Sequence, residues 1–242
     1  MKDFDTDFQK KFTLPMLEEP RTLRICFRKV GKLQYISHLD LQRTFARVLV
    51  RAGLPLWYTK GFNPHIKMVF GLPLPVGTES ECEYLDIRIE RDMPEAEVMA
   101  RLNRELTEEL AVREVYPAEH PFSDMAYAAY VYRIETAGAD AAMAERVQAA
   151  ICSPLMAIKR TKSGEKETDL APLVRSANVT FDGKELCIDA VFAADGANYV
   201  NPELFVTALR AKTGILNGDP LNEGYRICRR AVLLADGETP FR

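Results

Sequence analysis

Strand and helix patterns follow one another in the same order twice along this chain, and that order limits the folds open to it. From residue 21, apolar and polar residues alternate through Leu23, Ile25 and Phe27, which predicts a strand. A helix pattern comes next, with apolar residues at Leu41, Phe45, Val48 and Ala52. Strand patterns at 54–60, 83–90 and 110–116, and a helix opening at Pro94, complete the order strand, helix, strand, strand, helix, strand.

The same order returns in the second half. Strand patterns cover 127–136, 155–162, 185–194 and 225–234, and helix patterns cover 140–152 and 202–212. We therefore predict an α+β fold made of two tandem ferredoxin-like (βαββαβ) units, at residues 21–120 and 125–236. Residues 1–20 lack a clear period and are expected to form a flexible arm. One larger α+β sheet is the alternative that these patterns leave open.

The charges of the chain are unevenly distributed. The net charge at pH 7 is −3, yet residues 21–67 contain ten Lys and Arg and a single acid, Asp40. That segment therefore carries +9, which leaves −12 for the remainder. A segment this positive predicts an anionic partner such as RNA, phosphate or an acidic protein surface, unless acids from elsewhere neutralise it on folding.

Composition and motifs argue against several kinds of site. The five cysteines lie far apart and form no CxxC motif, so no zinc site or iron–sulfur cluster is expected in this chain. Neither GxGxxG nor GxxxxGK[ST] occurs. No apolar run approaches the roughly 18 residues that a membrane helix needs, and the N-terminus does not resemble a secretory signal. We expect a cytoplasmic protein that binds neither metal nor membrane.

The most distinctive motifs lie between Tyr35 and Asp86. They are SHLDLQR (37–43), RAGLP (51–55), GFNPH (61–65), PLPVGTES (73–80) and EYLD (83–86). In these motifs the chain closely resembles the radical SAM-linked protein family, an uncharacterised family encoded beside, or fused to, a radical S-adenosylmethionine enzyme. The match extends weakly to residues 159–172 and 200–209. The resemblance implies a radical SAM protein as partner, with the cluster in that partner and no cofactor in this chain.

The first motif contains a candidate catalytic residue, His38. Ser37 and Asp40 have the S-x-x-D form of a capping box, which places His38 in the first turn of the predicted helix. A neutral imidazole there could act as a base or donate its N–H to a phosphate-bearing ligand. The alternatives are that His38 is a structural histidine and that the Asp40 carboxylate only caps the helix.

The second candidate, His65, belongs to a turn. The turn residues are Gly61, Phe62, Asn63, Pro64 and His65. Lys60 and Lys67 flank them. If His38 and His65 converge, two imidazoles and a lysine could perform general acid–base cleavage of RNA. The sequence does not decide whether they converge, and a rigid turn with a solvated histidine is the alternative.

Basic and aromatic residues of the first unit are the candidates for nucleic-acid binding. They are Arg24, Arg28, Arg43, Arg47, Arg51, Lys60, Lys67 and Tyr84. The helix arginines fall four apart on the face opposite the apolar one, where phosphates could bridge them. Arg24, Arg28 and Tyr84 would lie on the sheet face away from the helices, as in RNA-recognition sheets. The alternative for the helix arginines is a stripe that only faces solvent. The alternative for the sheet residues is a packed face on which Asp86 pairs with an arginine.

A further basic stretch from Lys159 to Lys166 is predicted as a hairpin-like loop, either a second phosphate contact or a solvated turn. Three hypotheses of function follow. The first is a non-catalytic RNA-binding or substrate-presenting module that acts beside a radical SAM enzyme. The others are a metal-independent ribonuclease using His38 and His65, and a protein-assembly subunit of the radical SAM enzyme.

Overall fold

A computed structural model describes residues 11–161, 164–196 and 198–242 and confirms the α+β class. The chain divides into two compact units. Unit 1 takes in the described residues up to Val76, then Ser80–Phe122 and Arg242. Unit 2 takes in Gly77–Glu79 and Ser123–Phe241. Among the residues that the structure describes, no helix is both long and apolar enough to cross a membrane.

Unit 1 contains four strands and two α-helices in its described residues. They are β1 (Met16–Lys29), α1 (His38–Arg51), β2 (Met68–Phe70), β3 (Thr78–Arg91), α2 (Glu95–Glu105) and β4 (Val112–Pro117). Strand β1 pairs with β4 on one side and β3 on the other, and β2 pairs with β3, all antiparallel. The order in space is therefore β4-β1-β3-β2.

The core of unit 1 forms where β1 faces the helices. Leu23, Ile25 and Phe27 are fully buried, as their alternation predicts, and Phe45 and Leu49 of α1 pack in the same cluster. The rings of Phe27 and Phe45 lie 4.6 Å apart between centroids. Burying such side chains stabilises the fold by roughly 1.5–3 kcal/mol each.

Two predictions for unit 1 are wrong in extent. Strand β1 begins at Met16, so residues 16–20 are not part of an arm, and residues 1–10 lie outside the described part of the chain. The strand predicted at 54–60 is reduced to isolated bridges, Leu56 to Ile89 and Tyr58 to Ile66. The regular second strand is instead β2. Its alternating residues Met68 and Phe70, with Ile66 before them, pack on the core, and β2 pairs with β3.

Unit 2 contains six strands and two α-helices in its described residues. They are β5 (Tyr127–Glu135), α3 (Ala141–Ile151), β6 (Met156–Thr161), β7 (Gly164–Asp169), β8 (Val174–Phe181), β9 (Leu186–Ala193), α4 (Pro202–Thr213) and β10 (Gly224–Leu233). Strands pair antiparallel in the order β10-β5-β9-β8. Aromatic rings fill the core, with Phe192 and Phe205 only 4.8 Å apart between centroids.

The strand predicted at 155–162 is present, but its predicted place in the sheet is wrong. It forms β6, which pairs with β7 in a separate two-stranded hairpin. The outer strand of unit 2 is instead β8, which the sequence prediction omits. Gln148 of α3 covers the free edge of β8: its carboxamide donates to the carbonyl of Ala177 (3.2 Å) and accepts from the N–H of Val179 (2.9 Å).

Candidate nucleic-acid interface

Folding neutralises much of the positive segment at residues 21–67. Arg21 lies 3.1 Å from Glu95, Arg28 lies 3.3 Å from Glu108, and Arg51 lies 2.6 Å from Glu105. Arg24 pairs with Asp86. These acids all come from the later part of unit 1, between residues 86 and 108. The broad cationic surface predicted from the net charge is therefore much smaller in the folded protein.

Two predicted RNA-binding residues are buried. The side chain of Arg24 is 1% exposed, and its Nε and Nη2 each donate to an Asp86 carboxylate oxygen at 2.8 Å. Its guanidinium also stacks on the ring of Phe122, 4.4 Å from the centroid. Tyr84 is 5% exposed, and burial raises the pKa of its hydroxyl. The predicted open sheet face is thus wrong for both residues: the register places Arg24 directly opposite Asp86, and Tyr84, opposite Cys26, is itself buried.

The remaining predicted arginines differ in whether their guanidinium groups are already paired. Arg28 is occupied, since its Nε donates to the carbonyl of Glu108 at 2.6 Å. On α1, Arg43 lies 3.6 Å from Asp40 and Arg51 is paired, whereas Arg47 is exposed and has no ion pair within the described part of the chain. The helix stripe therefore offers one unpaired cation rather than three.

His38 lies where the capping motif predicts, at the start of α1. Ser37 Oγ accepts from the N–H of Asp40 at 3.1 Å and donates to its carboxylate at 2.7 Å, so Ser37 caps the helix as predicted. The imidazole is half-buried, with its edge on the ring of Phe70 at 5.3 Å and Nε2 at 2.9 Å from the Gln42 amide. These contacts hold His38 against the core side of β2.

His65 is held in the turn of an exposed hairpin. Its backbone N–H donates to Thr59 Oγ1 at 3.1 Å, and its Nδ1 lies 3.0 Å from the same oxygen. The N–H of Thr59 donates back to the His65 carbonyl at 2.9 Å. Gly61 adopts a positive φ of 136°, a conformation that side chains disfavour. The residues of GFNPH thus form a hydrogen-bonded turn rather than a loose loop.

The structure does not bring His38 and His65 into one cleft. Side chains alternate along the extended segment 65–70: Ile66, Met68 and Phe70 are half-buried, and the residues between them are exposed. His38 packs on Phe70, on the buried side, whereas His65 belongs to the exposed set. His38 therefore contacts the core side of this segment, whereas His65 faces solvent. General acid–base cleavage needs both rings at one substrate, so this arrangement does not favour the ribonuclease hypothesis.

The exposed side of this hairpin combines cations with aromatic rings. We call residues 58–67 the GFNPH hairpin. Phe62 at its tip is fully exposed, and Tyr58 is 44% exposed. Lys60 and Lys67 are exposed and form no ion pair among the described residues. The sequence analysis predicted Phe62 only as a turn residue and did not predict Tyr58. A signal for the unpaired lysines was present, because no acid occurs between Asp40 and Glu79.

One cluster in unit 2 has metal-ligand chemistry. Ligand atoms of Asp182, Glu185 and Cys187 lie within 4.8 Å of one another. Arg133 Nη1 already contacts all three, at 2.9 Å, 3.2 Å and 3.2 Å respectively. The guanidinium supplies the positive charge that the carboxylates need, so we interpret this cluster as structural.

Comparison with known proteins gives a family but no activity. The model of the family described as "Uncharacterized protein conserved in bacteria (DUF2344)" matches residues 22–202. No curated protein matches the chain. A crystal structure of an unknown protein from Galdieria sulphuraria is similar at 12% identity over 87% of this chain and 99% of that one. Its TM-score of 0.25 is too low to support an argument.

Proposed function

The chain belongs to the DUF2344 family of uncharacterized proteins conserved in bacteria, and we propose that it is a non-catalytic RNA-binding module. The observation that carries this proposal is the fully exposed Phe62, held at the tip of a rigid turn between two unpaired lysines. We propose that the GFNPH hairpin stacks a base on Phe62 while Lys60 and Lys67 contact the flanking phosphates.

Physical chemistry favours a ligand at this tip. A phenyl ring left in water forgoes the roughly 1.5–3 kcal/mol that burial of such a side chain provides. Base stacking on an aromatic ring contributes about 1–3 kcal/mol and tolerates any base. The lysines add phosphate contacts that carry no sequence information. Together they fit single-stranded RNA, whose bases are free to stack.

Binding of a labelled single-stranded RNA, followed by fluorescence anisotropy at low salt, tests this proposal. Phe62→Ala removes the stacking ring, so Kd should rise about 5- to 150-fold, as expected for 1–3 kcal/mol. Leu221→Ala is the matched control, because Leu221 is 92% exposed in unit 2. Its Kd should equal that of the wild type.

Charge variants test the second half of the site. Lys60→Glu should weaken binding and flatten the dependence of log Kd on log salt by about 0.7 or more for the lost phosphate contact. Lys32→Glu, at an exposed lysine outside the GFNPH hairpin, is the control. If wild-type protein binds no RNA even at low salt, or if Phe62→Ala binds as the wild type does, the proposal is wrong.

We also propose a radical SAM protein as the functional partner, with this chain presenting RNA to it. The support is the resemblance in residues 35–86 alone. A tagged chain should therefore retain a radical SAM protein through purification, and the complex should survive nuclease if the contact is protein to protein. Purification of the tagged chain free of any such enzyme from a cell that expresses it would contradict this partner.

The described strand pairing supports a ferredoxin-like fold for each unit, which we propose as the finer architecture. In unit 1 the order β4-β1-β3-β2 with helices after β1 and β3 is that of a βαββαβ sheet. In unit 2 the order β10-β5-β9-β8 repeats it, with the β6–β7 hairpin inserted after α3. An experimental structure of either unit tests this assignment.

A further inference from the structure

The β6–β7 hairpin stands apart from the sheet of unit 2, and its base is firmly held. Its two strands pair with each other and with no other described strand. At the base, Asp169 Oδ1 accepts from the N–H of Leu155 at 2.8 Å and of Ala171 at 3.0 Å. Leu155 and Leu170 are buried there, and the N–H of Leu170 donates to the Leu155 carbonyl. The hairpin is thus held at its base, and β6 also contacts α4, with Ala157 buried.

The two faces of the hairpin differ in charge: two lysines share one face, whereas the register places Arg160 opposite Glu165 on the other. Lys159 lies directly opposite Lys166, so both side chains share one face, with Cβ atoms about 4.5–5.5 Å apart. The next pair on that face is Ala157 and Thr168, which carry no charge. The described acids of β7 lie on the other face, where Glu167 faces Ile158.

This lysine pair lacks a counter-charge within the described residues. Lys159 and Lys166 are both exposed, and neither forms an ion pair there. Like charges directly opposite each other destabilise a strand pair. A hairpin face with two adjacent ammonium groups and no described carboxylate is complementary to an anion.

We propose that the lysine face of the β6–β7 hairpin contacts phosphates of the RNA that this chain binds. This inference rests on the proposed function. Phosphodiester fits better than protein, because protein interfaces need an apolar or aromatic anchor at their centre. The exposed apolar side chains of this hairpin, Met156 and Ile158, lie on the opposite face. The lysines themselves are long and flexible enough to reach one phosphate or two consecutive ones.

The salt dependence of RNA binding tests the inference. The variant Lys159→Gln/Lys166→Gln removes both charges and also their mutual repulsion, so the hairpin should keep its fold. Two lost phosphate contacts should reduce the slope of log Kd against log salt by about 1.4, at about 0.7 per contact on single strands. The control is Lys32→Gln/Lys184→Gln, two exposed lysines outside both hairpins, which should leave the slope unchanged.

The outcomes separate this inference from the proposed function. If the wild type binds RNA and the hairpin variant keeps the wild-type slope, the inference is wrong and the proposed function stands. If the wild type binds no RNA, both are wrong. If the variant loses a nuclease-resistant protein partner while its RNA binding is unchanged, the lysine face docks an acidic protein, and the inference is again wrong. Circular dichroism of each variant confirms that the fold is kept.

Discussion

Replacing Arg24 by Met tests whether this arginine holds unit 1 together rather than binding RNA. The guanidinium is 1% exposed and makes two 2.8 Å hydrogen bonds to a carboxylate that is itself only 15% exposed. Two charges about 4 Å apart attract by about 4 kcal/mol at an effective dielectric constant of 20. Removing one partner of a buried pair costs about 3–5 kcal/mol, because the other charge is left uncompensated. Since Asp86 keeps some contact with solvent, we expect the lower end, about 3 kcal/mol.

Urea denaturation followed by tryptophan fluorescence measures this loss in the correct unit. Trp57 is the single tryptophan of the chain, lies in unit 1, and has the Arg88 guanidinium 5.0 Å from its ring centroid. A double-mutant cycle isolates the pair: Arg24→Met with Asp86→Leu removes both charges and should cost clearly less than the sum of the single variants. Arg43→Met is the control, because this exposed arginine lies 3.6 Å from Asp40 and should contribute less than about 0.5 kcal/mol.

Two results would refute the reasoning. One is a loss below about 1 kcal/mol for Arg24→Met, which would mean that the pair is not buried in solution. The other is additivity of the two single variants to within about 0.5 kcal/mol, which would mean that the side chains do not interact. Under the same interpretation, folded Arg24→Met protein should bind RNA with wild-type affinity, since its guanidinium is not accessible to a ligand.

Three further predictions follow from particular side chains. Gln148→Ala removes two hydrogen bonds from the free edge of β8, so the free energy of unfolding should fall by about 1–3 kcal/mol. Sedimentation should also show more self-association than in the wild type, because the strand edge is uncovered. Unchanged stability and unchanged sedimentation would contradict the edge-covering role. Burial, aided by nearby carboxylates, raises the pKa of the Cys26 thiol to about 12. Alkylation at pH 8 should therefore label the exposed Cys152 before Cys26. Equal alkylation rates of the two thiols, measured by mass spectrometry, would refute this prediction. Hydrogen bonds from a threonine hydroxyl and two backbone N–H groups lower the pKa of Asp236 to about 2. Because the folded value is below the ordinary one near 4, the stabilisation from this turn is present above pH 4 and is lost as pH falls through 2. An NMR titration midpoint near 4 would contradict this prediction.

Local signals in the sequence were sufficient for the helices. The capping box of Ser37 and Asp40 predicts where α1 begins, and the structure confirms it because cap hydrogen bonds depend on residues three apart. Pro202 likewise predicts the start of α4, where Asn201 caps the helix by accepting from the N–H of Glu203. These interactions form within one turn of chain, so a single sequence contains all that they need.

Strand β8 could not be found in this way, and its own geometry explains why. Ala177, Val179 and Phe181 alternate with polar residues, but the register shifts between Val174 and Ser176, so the alternation is interrupted after the first residue of the strand. An edge strand also buries little surface, which weakens its apolar pattern further. Nothing local shows that the segment forming β6 pairs outside the sheet.

The charge prediction failed for a related reason, and its failure shows which cations are informative. Arg24 and Asp86 are 62 positions apart in the chain, and Arg28 and Glu108 are 80 apart. Only the register of β1 on β3 places Arg24 opposite Asp86, so the net charge of a segment cannot distinguish a structural arginine from a binding one. The lysines of the two hairpins differ, because they form no ion pair among the residues that the structure describes. For that reason the two hairpins, rather than the helix or the sheet, are where an anionic partner is expected to bind.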